Sequence, residues 1–109
     1  MLPVSAPQEA AVYVNVTRVQ VQPGVDLQEL AQRSSRELAP LFRQMTGFQS
    51  YYDVKVADDT ILSITVWDSQ TDFENGLKQL VPWMTQNVAP FFAGAPERTG
   101  GEVLSQSEG

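Results

Sequence analysis

The chain has 109 residues, with seven Lys and Arg against thirteen Asp and Glu for a net charge of -6, a length that supports one hydrophobic core rather than two. The cations are scattered from Arg18 to Arg98 without a cluster, so no nucleic acid partner is expected. There is no cysteine and no histidine, which excludes disulfides, thiolate nucleophiles, imidazole bases, Ser-His triads and the usual zinc and haem ligation.

Residues 1–9 carry two prolines without a sustained period, and 105–109 are small and polar, so both are expected to be loosely held around a single domain spanning 10–104. From Val12 to Val21 the sequence VYVNVTRVQV alternates with the period of a half-buried strand, and Pro23-Gly24 closes it in a turn. Asp26 followed by Glu29 reads as a helix-capping pair. Behind it Leu27, Leu30, Ala31, Ser34, Leu38, Leu41, Phe42 and Met45 recur at spacings of three and four, predicting an amphipathic helix. Pro40 predicts a kink or a break near Ala39, and Gly47 a stop. FQSYYDVKV and ILSITVW flank Ala57-Asp58-Asp59-Thr60 and predict an antiparallel hairpin. Asp68 or Ser69 caps a second helix with Phe73, Leu77 and Leu80 inside, and Pro82 opens a further helical segment that ends at Pro90. GGEVLSQ reads as a final strand. No apolar run approaches the roughly 20 residues that span a bilayer, and no basic patch followed by an apolar stretch opens the chain. No membrane association is expected, and the lack of cysteine fits a cytoplasmic location.

The order βαββαβ is the ferredoxin-like α+β plan, an antiparallel sheet with helices on one face. The more apolar set, Val12, Val14, Val16, Leu62, Ile64 and Val66, is expected under the helices. The opposite set is Tyr13, Asn15 and Thr17 on the first strand with Ser63, Thr65 and Trp67 on the third. It carries no charge, which predicts a covered surface. The expected cover is a second copy of the chain, giving a homodimer with facing sheets.

Several marks in order bring a family into view. They are the Pro-Gly after the first strand, Gly47-Phe48 opening the second, Trp67-Asp68-Ser69 closing the third, and the Gly-x-Pro-Glu stretch before the last. From Ala11 to Val103 the chain resembles the antibiotic biosynthesis monooxygenase domain of the dimeric α+β barrel superfamily. The resemblance implies that fold and, in some members, cofactor-free oxygenation of phenolic or anthrone rings to quinones; other members degrade haem, isomerise lactones or have no known reaction. The haem branch needs an axial histidine that this chain lacks. Where many members carry a Glu two residues before the Trp and a His nine after it, this chain has Thr65 and Gly76, and where quinone-forming members carry an Asn four before the Trp it has Ser63.

Such chemistry must hold a flat ring, stabilise an oxyanion and exclude water, and it requires no cofactor. Trp67 and Asn15 are therefore the expected catalytic residues, with Trp67 equally readable as packing. Tyr13, Thr17, Tyr52, Ser63, Thr65 and Trp83 are expected to bind a small aromatic molecule. Tyr51 and Tyr52 point to opposite faces, and Tyr52 is favoured for the cavity because it shares its uncharged side with Phe48, Ser50 and Val54. No base is evident: Asp53 is the nearest carboxylate, on a side equally compatible with solvent. A non-catalytic binding or stress-response module and a proton-transfer isomerase or decarboxylase remain open beside the oxygenase.

Overall fold

A computed structural model describes residues 11–108; the expectation for the first nine residues lies outside that range. The elements are β1 (Tyr13–Gln20), α1 (Leu27–Arg43), β2 (Phe48–Ala57), β3 (Thr60–Trp67), α2 (Gln70–Asn87), a short 3-10 turn (Ala89–Phe91) and β4 (Glu97–Glu102). The strands form one antiparallel sheet in the order β2-β3-β1-β4. This is the expected ferredoxin-like α+β architecture. The final strand begins at Glu97, earlier than the sequence pattern suggested, and pairs with β1 of its own chain from Arg18–Glu97 to Tyr13–Glu102. No helix among the described residues is long and apolar enough to cross a membrane.

Both helices start as their caps dictate. The Asp26 carboxylate accepts from the Glu29 amide at 3.1 Å, and the Ser69 hydroxyl from the Asp72 amide at 3.1 Å, each satisfying a donor that the first turn leaves free. The break at Pro40 and the new segment at Pro82 do not occur: α1 and α2 each run through their proline. A helix proline deprives the carbonyl four residues earlier of its donor. Here those carbonyls belong to Arg36 and Lys78, both exposed residues, where water can replace the lost amide.

The largest departure from expectation is which face of the sheet the helices cover. Tyr13, Asn15, Thr17, Thr65 and Trp67 are buried, whereas Val14, Val16, Leu62, Ile64 and Val66 are only half-buried. The charge-free set therefore is covered, as its composition required, but by α1 and α2 of the same chain and not by a second copy. Aromatic rings decide the matter, because Trp and Tyr each remove far more apolar surface from water than a valine does. Trp67 is 0% exposed. It packs edge-on against Phe42, Phe48 and Phe73 with centroids 5.4–6.4 Å apart. Tyr13, Leu38, Met45 and Leu80 complete this cluster. A second cluster of Val19, Val21, Leu27 and Ile61 fills the opposite end of the sheet–helix layer.

Gly76 lets α2 close over the sheet. A β-carbon there would lie 2.4 Å from Cη2 of Trp67, so the indole occupies the space that any side chain at 76 would need. With the indole so placed, this chain has no room for a side chain at 76.

Candidate functional site

Between the two apolar clusters lies a cavity of about 100 Å³. Its roof is apolar. Leu30, Ala31 and Leu38 descend from α1, and Phe73, Leu77, Leu80, Trp83 and Met84 from α2. Its floor is the sheet, and there the polar groups are concentrated. Antiparallel pairing places Tyr51, Thr65, Asn15 and Gly100 in one row across the four strands, and Asp53, Ser63, Thr17 and Arg98 in the next. The row beyond Asp53 returns to Ile61 and Val19, and the row beyond Tyr51 brings Trp67 beside Tyr13. A strip of hydrogen-bonding groups thus crosses an otherwise hydrophobic chamber, the usual composition of a site for a small organic ligand.

The strip is organised around one carboxylate. Asp53 accepts a short hydrogen bond from the Tyr51 hydroxyl and a second, at 2.6 Å, from the Ser63 hydroxyl. Burial raises the Asp53 carboxyl above the ordinary range, and the bonds from Ser63 and Tyr51 offset part of that rise. Burial, reinforced by the neighbouring carboxylate, holds the Tyr51 phenol protonated far above neutral pH, so Tyr51 is a donor here and not an acid. On β1, Asn15 Nδ2 donates to Thr17 Oγ1 at 3.0 Å. Thr65, between the two polar pairs and 8% exposed, has a buried hydroxyl with no hydrogen-bond partner among the described residues. An unmade hydrogen bond at a buried site costs about 1–3 kcal/mol, a cost that a ligand oxygen at this point would remove. Among the lining residues the ionisable ones are Tyr51, Asp53 and Arg98; Arg98 ends the strip on the opposite edge strand, three strand spacings or about 14 Å from Asp53.

Of the residues expected from the sequence, Asn15, Thr17, Ser63, Thr65 and Trp83 border the cavity. Trp67 and Tyr13 do not. Both sit in the aromatic cluster beside it, where Trp67 buttresses the wall without reaching the space, so the expected tryptophan contact falls to half-buried Trp83 on α2. Tyr52 is 56% exposed and lies on the other face; its neighbour Tyr51 takes the cavity position. The cause is a register shift between Phe48 and Ser50. It changes the phase of β2, so that Phe48 and Tyr51, three residues apart, both reach Phe42, at 4.3 and 5.1 Å between centroids. Counting by twos from Phe48 necessarily selects Tyr52. Asp53, whose side of β2 is equally compatible with solvent by sequence, lines the cavity. Arg98 enters the site because β4 begins at Glu97, ahead of the GGEVLSQ stretch that reads as the last strand.

Comparison with known proteins comes to the same fold. A family model described as antibiotic biosynthesis monooxygenase matches residues 12–78, more than half of the chain. Among solved structures, a protein of unknown function from Nitrosomonas europaea superposes with a TM-score of 0.74 at 14% identity, over 94% of this chain and 98% of that one. A cofactor-independent oxygenase from Streptomyces nogalater gives 0.69 at 17% identity, over 89% and 97%. A monooxygenase from Streptomyces coelicolor, in complex with nanaomycin D, gives 0.71 at 14%, over 91% and 93%. No curated protein matches the chain.

Proposed function

Because the chain belongs to the antibiotic biosynthesis monooxygenase family, we propose that it is a cofactor-independent monooxygenase acting on a small aromatic molecule of quinol or anthrone type, bound between helices and sheet. The observation that carries this reading is the buried, unpartnered Thr65 hydroxyl on the floor of an apolar chamber. A flat ring would lie between the polar strip and the helix side chains, with Trp83 against it. Its oxygens would be held by Thr65 and Asn15, with Thr17 and Ser63 completing the strip. Once an anthrone is deprotonated it can pass an electron to dioxygen; one oxygen atom becomes the new carbonyl and the other leaves as water with the two methylene hydrogens, whereas a quinol gives up its two hydrogens to dioxygen as hydrogen peroxide with no oxygen inserted. The protein's task is to bind, to stabilise the oxyanion with fixed donors and to keep bulk water out. A structural relative described as a cofactor-independent oxygenase and another holding nanaomycin D are in keeping with this chemistry.

The second face of the sheet supports a homodimer. Val14 pairs with Val66 and Val16 with Ile64, Tyr52 and Val54 are exposed beside them, and no element of the described chain covers this aliphatic surface. A second copy applied around a two-fold axis would bury it against itself. The cysteine-free sequence is consistent with a cytoplasmic setting.

The test is incubation with a panel of anthrones and hydroquinones while quinone absorbance and oxygen uptake are followed. The expected result is one dioxygen consumed per quinone formed, with turnover falling in Asn15→Ala. Ligand-dependent melting shifts without oxygen uptake would instead identify a binding module.

A further inference from the structure

We propose that Asp53 is the proton acceptor of the cavity, a carboxylate that takes a proton from a ring methylene or ring hydroxyl of the bound molecule while Tyr51 and Ser63 hold it in place. The inference rests on reading the cavity as the site for an aromatic ketone or phenol. Three observations carry it. Asp53 faces the cavity floor. Its two oxygens each accept one hydrogen bond, from Tyr51 and from Ser63, which fixes the carboxylate and leaves each oxygen a free lone pair. Thr65, directly across from Tyr51 in the sheet, offers its orphaned hydroxyl one row from Asp53, so an acceptor for a proton and a donor for the resulting oxyanion stand in neighbouring rows of the same floor.

The step balances within the site. The electron pair of the broken C–H or O–H bond moves into the ring system and onto its oxygen, where Thr65 and Asn15 can donate hydrogen bonds. The proton stays on Asp53 as the neutral acid, ready to return to a later oxyanion. Burial suits this role, because it disfavours the charged carboxylate and so brings its proton affinity closer to that of the acid it must deprotonate. The other ionisable groups lining the cavity are Tyr51, which remains a neutral donor, and Arg98 at the far end of the strip. Neither competes for the proton.

Anaerobic hydrogen exchange separates this claim from the oxygenase reading. Anthrone is incubated with the protein under nitrogen in deuterium oxide, and loss of its ring-methylene proton signal is followed by NMR. A parallel sample in air reports oxygen uptake, and anthraquinone-induced melting shifts report binding. The expected result is exchange well above the buffer rate, slowed about a hundredfold or more in Asp53→Asn with the anthraquinone shift retained. The wild-type rate should fall on the acid side as the carboxylate is protonated. In Ser63→Ala, which removes a donor that stabilises the carboxylate, that fall should move to higher pH. Exchange in Asp53→Asn within about threefold of wild type overturns the proposal, even if oxygen uptake is seen. An unmoved acid limb in Ser63→Ala overturns it should the Asn variant fail to fold. Exchange that depends on Asp53 but is accompanied by no oxygen uptake in air upholds the proton acceptor and removes the oxygenase reading. Absence of both exchange and binding removes the two together.

Discussion

Replacing Gly76 by alanine tests how tightly the roof is seated on the sheet. In an unconstrained helix interior this exchange stabilises by about 0.5–1 kcal/mol, because alanine has less backbone freedom to lose. Here the added carbon would meet Trp67 Cη2 at 2.4 Å and Cζ3 at 2.8 Å, about 1 Å inside ordinary carbon contact. The indole has no free side to move to, since it is 0% exposed and bounded by Phe42, Phe48 and Phe73. Overpacking of this kind costs about 1–3 kcal/mol. The net expectation is a loss of about 1–2 kcal/mol, or roughly 5–12 °C in melting temperature for a domain of this size. Urea and thermal unfolding followed by circular dichroism measure it. The same exchange made in Trp67→Phe, which lacks the clashing ring atoms, should be neutral or stabilising, giving a coupling of at least about 1 kcal/mol in the double-mutant cycle. Equal losses in the two backgrounds, or a gain in the wild-type background, would refute the close approach of α2 to the tryptophan.

Thr65→Val replaces an unsatisfied buried hydroxyl with a methyl of similar shape, so unfolding should show a gain of about 1 kcal/mol while binding of an oxygenated ring ligand weakens. A loss of stability would mean that the hydroxyl has a partner. For Asp53 the folded-state affinity for its proton is raised, so its stabilising contribution is fully present below the unfolded-chain pKa near 3.9 and is lost as pH rises through the higher folded value. Asp53→Asn should therefore melt above wild type at neutral pH, the difference shrinking on acidification toward pH 4; a gap independent of pH would contradict it. Ile64→Glu introduces charge at the centre of the aliphatic sheet face. Sedimentation should then change from about twice 12.0 kDa to a single chain, with little change in the far-ultraviolet spectrum; an unchanged mass would rule out this face as the contact.

Element order, helix caps and the hairpin are all legible in the sequence, because each is set by local rules: alternation in β1 and β3, Asp26 and Ser69 at helix starts, Asp58-Asp59 between two strands. The inward face of the sheet is not legible in the same way. Both alternating sets of β1 and β3 carry apolar groups, so the period shows that two faces exist and leaves open which one the helices cover; counting valines favours one, while ring area favours the other. The displacement of Tyr52 by Tyr51 comes from a register shift whose origin lies in strand pairing and has no counterpart in the composition of β2. Half of the site therefore could be read residue by residue, as Asn15, Thr17, Ser63 and Thr65. The organising carboxylate emerged only when β2 was laid beside β3. Arg98 required the placement of a strand whose six residues are all exposed and carry no alternation to find it by.

The rows that cross the sheet have an implication for how the chamber is assembled. Adjacent strands are antiparallel, so neighbours within a row are far apart along the chain yet offer their side chains to almost the same point of the ligand. Asp53 and Ser63 stand in one row in this way, ten residues apart in sequence, the one holding the carboxylate and the other donating to it. A chamber floored by such rows draws its polar groups from segments that no short stretch of sequence brings together.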